Sequence, residues 1–124
     1  MAVPTDLADL NTTTASNSPA GGDSVGNTLD DFLRAIQGIL RRIFSKGADV
    51  ASATTLTCPT DGGFIHVPGT TTITGFGATN GFNGRPIKVV FDASAQLTHN
   101  ATSFILPGGQ NIQTQAGDIA EFVP

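Results

Sequence analysis

Residues 28–44, TLDDFLRAIQGILRRIF, carry the one long helical pattern of this 124-residue chain. Thr28 is a favourable N-cap residue, and Asp31 three positions later completes a Thr-x-x-Asp variant of the capping box. Gly47, just beyond the apolar pattern, is a typical helix stop signal. The stretch therefore predicts an amphipathic helical segment over residues 28–46, with an arm before it and a differently patterned region after it.

The charged residues of this segment suit the dipole of a helix. Asp30 and Asp31 lie at its positive end, and the basic residues Arg41, Arg42 and Lys46 lie at its negative end. This arrangement explains the basic cluster without nucleic acid. The formal net charge of -4 and the 13% of charged residues also argue against nucleic acid and anionic membranes as partners.

The apolar residues of the helix are spaced for association with other helices. Leu29, Phe32, Ile36, Ile39 and Ile43 follow one another at intervals of three and four, which is the a/d seam of a coiled coil. Isoleucine at both a and d favours three or more strands over two. We therefore predict a homotrimer whose interface consists of Leu29, Phe32, Leu33, Ile36, Ile39, Leu40 and Ile43, with Phe44 widening the same face.

Such a short bundle does not hold together by itself. Burial of the eight apolar side chains contributes at most about 1.5–3 kcal/mol each, and ordering the seventeen residues costs about 1–2 kcal/mol each. The two sums roughly cancel, so the bundle needs help from the following domain. The competing interpretation is a helix packed on the β-sheet of its own chain.

The arm, residues 1–27, is rich in Thr, Ser, Asn and Gly. Its apolar content is too small to offset the entropy of ordering, so alone it should be disordered. It is either a plain tail or an extended attachment arm that becomes ordered on a partner surface, with Val3, Leu7 and Leu10 as its anchors.

From residue 47 to residue 124 the apolar pattern changes to short β-type runs separated by turn signals such as Pro68-Gly69 and Pro107-Gly108-Gly109. We predict eight strands, at residues 54–58, 64–67, 70–75, 86–92, 96–99, 103–106, 111–114 and 119–123. This predicts a mainly β chain with a small antiparallel sandwich or barrel-like domain. The expected core is Leu56, Phe64, Ile65, Val67, Ile73, Ile87, Val89, Phe91, Leu97, Phe104, Leu106, Ile112, Ile119 and Phe122.

The sequence offers no pattern of catalytic or cofactor-binding residues. Nucleophile elbow, P-loop, HExxH, GxGxxG and EF-hand motifs are absent. His66 and His99 lie on different predicted strands, and one of them could form a metal site only on a trimer axis. Cys58 is the single cysteine, and the usual role of a free cysteine is that of a small buried hydrophobe. We expect no enzyme activity, no cofactor and no metal.

The amino terminus lacks the basic and apolar segments of a secretion signal, and no apolar run approaches the length that spans a membrane. We therefore expect a soluble protein that is synthesised in a cytoplasm and is not inserted in a membrane.

Two stretches resemble parts of tail-fibre and tailspike-associated proteins of tailed bacteriophages. Residues 17–40, NSPAGGDSVGNTLDDFLRAIQGIL, look like amino-terminal virion-attachment segments of phage fibre proteins. Residues 56–123 contain LTCPTDGGFIHVPGTTTITGFG, GRPIKVVFDASAQLTHNATSFILPGG and NIQTQAGDIAEFV, which are similar to a small β module recurrent in tail fibres.

The resemblance implies a homotrimeric virion protein that docks on tail or connector proteins through its amino-terminal end and serves attachment. It also implies a location in the phage tail after synthesis in the bacterial host cytoplasm. The chain lacks a long shaft and a large distal domain, which favours a short fibre or a fibre adaptor that can carry another fibre protein on its β domain. Two alternatives remain open. One is a host-surface module that binds glycan or receptor through loops at 80–84 and 99–103, and the other is a capsid-decoration protein.

Overall fold

The computed structural model describes residues 2–58, 61–77 and 86–123, and it shows a small mixed α/β domain. The arm contains one-turn 3-10 helices at Leu7–Asp9 and Thr14–Ser16, and it leads into helix α1, Leu29–Phe44. The strands in the described part are β1 (Thr55–Leu56), β2 (Phe64–Val67), β3 (Gly75–Phe76), β4 (Ile87–Phe91), β5 (Gln96–Leu97), β6 (Ile112–Gln113) and β7 (Ile119–Phe122). A third 3-10 turn, Pro107–Gly109, precedes β6.

These strands form three small sheets, with orders β1-β3, β2-β4-β7 and β5-β6. The β1-β3 and β2-β4 ladders are parallel, whereas β4-β7 and β5-β6 are antiparallel. The prediction of an antiparallel sandwich or barrel is therefore wrong for the first two ladders. The alternation of apolar residues identifies the buried face of a strand, but it does not identify the neighbouring strand.

The parallel ladders arise because three coils of chain, residues 46–58, 63–77 and 87–98, lie one above the next. Along one side the backbone N–H groups of Gly47, Val50 and Ser52 donate to the carbonyls of Phe64, His66 and Pro68. Along the other side, Thr74 donates to Thr54, Gly77 to Leu56 and Ile73 to Gln96. The Pro68-Gly69 signal, typical of a hairpin, is thus a corner at which the second coil passes from one sheet to another.

After the third coil the chain reverses and runs back along it; we call residues 111–122 the return layer. Val90 of β4 lies opposite Ile119 of β7, and Leu97 of β5 lies opposite Ile112 of β6. The third coil and the return layer therefore use the same number of residues to pass from one sheet to the other. The return layer is therefore antiparallel to the third coil in one continuous register.

The core lies inside the coils. It consists of Leu56, Cys58, Ile65, Val67, Ile73, Ile87, Val89, Phe91, Ala95, Leu97, Phe104 and Leu106, all almost fully buried. Phe76 and Phe122 pack their rings against Phe104 of this core and against each other, with centroid separations of 4.9–5.9 Å. Cys58 is buried, as expected. Ile119 was predicted to be buried but is 69% exposed, because it lies on the outer face of the last strand.

Two glycines connect the end of α1 to the second coil. The N–H of Gly63 donates to the carbonyl of Ser45 at 2.7 Å, and a Cβ atom at Gly63 would lie 1.7 Å from the carbonyl oxygen of Ile43. A Cβ atom at Gly62 would lie 2.1 Å from the amide nitrogen of Gly47. Only glycine permits this approach, so the helix end has a fixed position on the stack.

In the described part of the chain there is no helix with the length and apolar character needed to cross a membrane.

Candidate functional site

Helix α1 follows its predicted bounds closely but begins and ends differently from the prediction. Thr28 makes no side-chain capping bond, and its buried Oγ1 has no hydrogen-bond partner in the described structure, so the predicted capping box is absent. The helix ends with Ser45 in an extended conformation. Gly47 is therefore not a C-cap, and its small size instead serves the contact with Gly62.

The charges of α1 are placed as expected for its dipole. Asp30 and Asp31 are in the first turn, Arg41 and Arg42 are in the last turn, and Arg34 pairs with Asp30. Both members of that pair are mostly exposed, so it adds little to stability. Lys46 lies beyond the helix, where its ammonium group holds the pKa of Asp49 below the usual value through a side-chain hydrogen bond.

The predicted trimer interface separates into a covered part and an open part. Phe32 and Ile39 are 2% and 3% exposed within the single chain, although neither belongs to the core of the coils. Ile43 is half-buried. The remaining apolar residues are Leu29, Leu33, Ile36, Leu40 and Phe44, with exposed fractions of 50%, 53%, 45%, 57% and 73%.

The open residues retain a heptad spacing that is displaced from the predicted one. We name Leu29, Leu33, Ile36, Leu40 and Phe44 the open stripe. Its first four members follow at intervals of four, three and four, with Ile43 three residues further on. Leu33 and Leu40 thereby take a positions, and Leu29, Ile36 and Ile43 take d positions. Leucine at a with isoleucine at d again favours more than two strands.

The arm is built from turns rather than from continuous extended chain. Asp6 caps the first 3-10 turn in a reciprocal capping box with Asp9. The Asp9 carboxylate accepts from the Thr5 amide and hydroxyl at 2.8 and 2.9 Å, which lowers the pKa of Asp9. Arg42 of α1 donates to the carbonyl of Thr5, which places the start of the arm beside the end of the helix.

The predicted anchor residues of the arm are only partly available. Val3 and Leu7 are half-buried, Leu10 is 36% exposed, and the neighbouring Pro4 is buried. An attachment surface on the arm would therefore use Leu10 most directly, with the other two anchors already partly covered by the chain.

The two histidines make separate structural hydrogen bonds. His66 on β2 donates from Nδ1 to Asp92 Oδ1 at 2.8 Å. His99, just after β5, accepts at Nδ1 from the amide of Leu106 at 3.0 Å, so its neutral ring carries the proton on Nε2. Within residues 2–58, 61–77 and 86–123 no group of three His, Cys, Asp or Glu side chains is arranged to hold a metal ion.

Two loops, at residues 80–84 and 99–103, were predicted as candidate contacts with a host surface. Residues 80–84 lie outside the described residues. In the loop at 99–103, Asn100 accepts from the amides of Thr102 and Ser103 at 2.9 and 3.1 Å, which gives a compact turn with an exposed rim.

A second open apolar surface, missed by the sequence reasoning, lies at the end of the stack. It is a groove of about 410 Å³ between the 105–107 segment and the return layer. Ile105 and Ile119 line it while being 72% and 69% exposed, and Asp118 and Glu121 lie on the same lining. Only the reversal of the chain creates this groove, and no local sequence pattern indicates that reversal.

No family model matches the chain, and no significant match was found among curated proteins or among solved structures.

Proposed function

We propose that this chain is a structural subunit that associates with copies of itself through the open stripe of α1, as a short trimeric tail fibre or fibre adaptor of a bacteriophage virion. The observation that carries the proposal is the exposure of the open stripe: its five apolar side chains keep a heptad-like spacing and remain exposed to solvent, whereas Phe32 and Ile39 of the same helix are buried within the single chain. A helix exposed only to water has no physical reason to keep five large apolar side chains on one side.

The energetics support a partner made of the same chain. The exposed fraction of the stripe residues is between 45% and 73%, so burying this exposed surface contributes about 1 kcal/mol or more per side chain. Several such contributions from each of three chains add up, whereas one helix on an unrelated flat surface would bury fewer of them. In the proposed trimer, the three copies of α1 form a three-helix bundle, and each helix carries a mainly β domain.

The virion role rests on the resemblance of residues 17–40 and 56–123 to phage fibre segments and on the order of arm, helix and β region. In this proposal the arm and α1 dock on a tail or connector protein, with Val3, Leu7 and Leu10 as contacts. The β domain points outward, toward host or toward a further fibre protein. The assembled protein is then located in the virion tail.

Light scattering on the purified full chain tests the association. We expect a mass of three times 12.7 kDa, which a monomer at micromolar concentration would contradict. The double variant Leu33→Gln, Leu40→Gln should give a folded monomer, because both side chains are more than half exposed in the single chain. The matched control Arg34→Gln, Arg41→Gln changes the polar side of the same helix and should remain trimeric.

A deletion of residues 2–26 tests the attachment role separately. The fold and the trimer should survive, while incorporation into virions should be lost. Unchanged incorporation would refute anchoring by the arm. The two alternatives have direct tests as well: glycan-array binding by the purified chain would favour a host-surface module, and particle images with density on the capsid would favour decoration of the head.

A further inference from the structure

The return layer ends the stack with an open sheet edge. β7 is the last strand in the order β2-β4-β7, and β6 is the last in the order β5-β6, so in the described structure each has one neighbour. An edge of this kind presents backbone N–H and C=O groups that an extended chain can pair with.

The register shows which backbone groups point outward. Phe91 follows the paired residues Val90 and Ile119, and it donates to the carbonyl of Asp118 and accepts from the amide of Gly117. Hydrogen bonds therefore join the two strands on this side of the Val90–Ile119 pair. In an antiparallel ladder hydrogen-bonded pairs alternate with non-hydrogen-bonded pairs. Ala120, opposite Val89, therefore bonds toward β4, whereas Ile119 and Glu121 direct their N–H and C=O groups away from it.

The side chains at this edge define the chemistry of an incoming strand. Ile119 and Glu121 share the exposed face of β7, with the 74% exposed Val123 after them. Ala120 and Phe122 face the other way, and residues of both faces of β7 line the groove together with Ile105. Asp118 and Glu121 are the only charged residues on that lining within the described structure, and both are acidic.

A second copy joined through this same edge is disfavoured by charge. Two return layers placed edge to edge would bring Asp118 and Glu121 of one copy toward the same carboxylates of the other, and like charges facing each other destabilise a ladder. A strand with a basic residue opposite Glu121 and apolar residues on either side would instead satisfy the backbone, the charge and the groove together.

We propose that the outer edge of the return layer binds an extended segment of another protein, with a central Lys or Arg opposite Glu121 and apolar neighbours, by adding a strand to β7. This binding does not require the helix or the virion role, so it stands whether or not the open stripe forms a trimer.

The probe is the fluorescein-labelled peptide TVVKVVT with blocked ends, whose palindromic sequence can pair in a parallel or an antiparallel direction. Its control is TVVEVVT, and binding to the full-length protein is measured by fluorescence anisotropy. We expect the Lys peptide to bind about five- to tenfold more tightly than the Glu peptide, as opposite-charge and like-charge cross-strand pairs require. Equal affinities would overturn the proposal.

Two changes locate the binding. Glu121→Lys should reverse the preference between the peptides, whereas Asp31→Lys, the same charge change on the helix, should leave it unaltered. N-methylation of alternate residues of the Lys peptide, made in both frames, should abolish binding in one frame only, because a paired strand uses one of its edges. Loss of binding in neither frame would overturn the strand geometry.

The protein's own association at this edge is the remaining outcome. If Glu121→Lys changes the mass of the purified protein in light scattering, the edge is an interface between copies of this chain and the proposal is overturned. If Leu33→Gln, Leu40→Gln removes the trimer while peptide binding persists, the edge functions independently of the helix, as we expect.

Discussion

Thr114 is the one buried polar residue of the described core, and it joins the return layer to the third coil. Its hydroxyl accepts a hydrogen bond from the Ala95 amide at 2.9 Å and lies 3.1 and 3.0 Å from the carbonyls of Ala93 and Ala95. The Thr114 backbone amide also donates to the Ala95 carbonyl at 2.9 Å. The hydroxyl thus supplies the acceptor for the Ala95 amide at the corner between β4 and β5.

Thr114→Val should reduce the free energy of unfolding by about 1–3 kcal/mol, because it keeps the volume but leaves the Ala95 amide buried without an acceptor. Urea denaturation measures the loss. Thr114→Ser keeps the hydroxyl and serves as the control, with a smaller loss from the missing methyl group. A Val variant as stable as the Ser variant would show that the hydrogen bond is dispensable.

Asp9 gives the arm a pH dependence. Hydrogen bonds from the amides of Thr5 and Asp6 and from the Thr5 hydroxyl favour the ionised carboxylate and lower its pKa from 3.8. Because the folded pKa is depressed, the stabilisation is complete above the ordinary pKa and is lost as the pH falls through the lower, folded value.

In an NMR titration from neutral pH into the acid range, the Thr5 amide signal should therefore shift with a midpoint below 3.8. Asp9→Asn should remove this transition from the Thr5 signal. A midpoint at or above the ordinary value would mean that the turn is not formed in solution.

At the scale of elements, the helix shows what a local pattern can and cannot predict. Its bounds, its dipole charges and its apolar side follow from the spacing of residues along the chain. The division of that side into buried Phe32 and Ile39 and the open stripe does not, because burial depends on which surface the fold brings against the helix. The capping box failed for a related reason: Thr28 has a backbone conformation, φ -128° and ψ -2°, unlike the extended one of an N-cap.

Gly38→Ala should stabilise α1, since a Cβ atom there meets only the Arg42 guanidinium at 3.9 Å. We expect a gain of about 1 kcal/mol from helix propensity, seen as a higher Tm in circular dichroism. Gly63→Ala is the matched contrast, because its Cβ would lie 1.7 Å from the backbone carbonyl oxygen of Ile43. That variant should be destabilised, and similar effects of the two changes would contradict the packing described at the helix end.

The strands show the same division. Phe64–Val67 was predicted to the residue, and β4 and β7 fall within one residue of the predicted ends, because alternation and turn residues are local signals. The predicted strand at 103–106 is reduced to a single bridge between Asn100 and Phe104. Parallel pairing was missed since hairpins and corners share the same Pro and Gly signals, and the groove with its open edge was missed with it.

At the scale of the whole molecule, the two ends of the chain have unequal importance for the fold. The described part of the arm, residues 2–27, contributes no residue to the core of the coils. The return layer, in contrast, pairs with both strands of the third coil and supplies Thr114, Ile112 and Phe122 around the core.

Deletion of residues 111–123 should therefore abolish cooperative thermal unfolding and cause aggregation, because it exposes the apolar strand β4 as a free edge. Deletion of residues 2–26 should leave the NMR signals of the β region and its cooperative transition in place. Size-exclusion chromatography and scanning calorimetry distinguish the two, and a soluble, cooperative protein without residues 111–123 would show that the coils are stable alone.

The reversal of the chain after the third coil also acts as a terminator. A stack of parallel coils has no intrinsic length, since each coil offers the next the same kind of edge. The antiparallel return layer ends that repetition within the chain. The number of coils is therefore set by the sequence of one chain and not by the association of several chains. A further coil inserted between the second and the third would lengthen the body by about 4.8 Å, the distance between neighbouring strands. The helix at one end and the return layer at the other would keep their surfaces, so the length of the stack could be changed in steps of one coil.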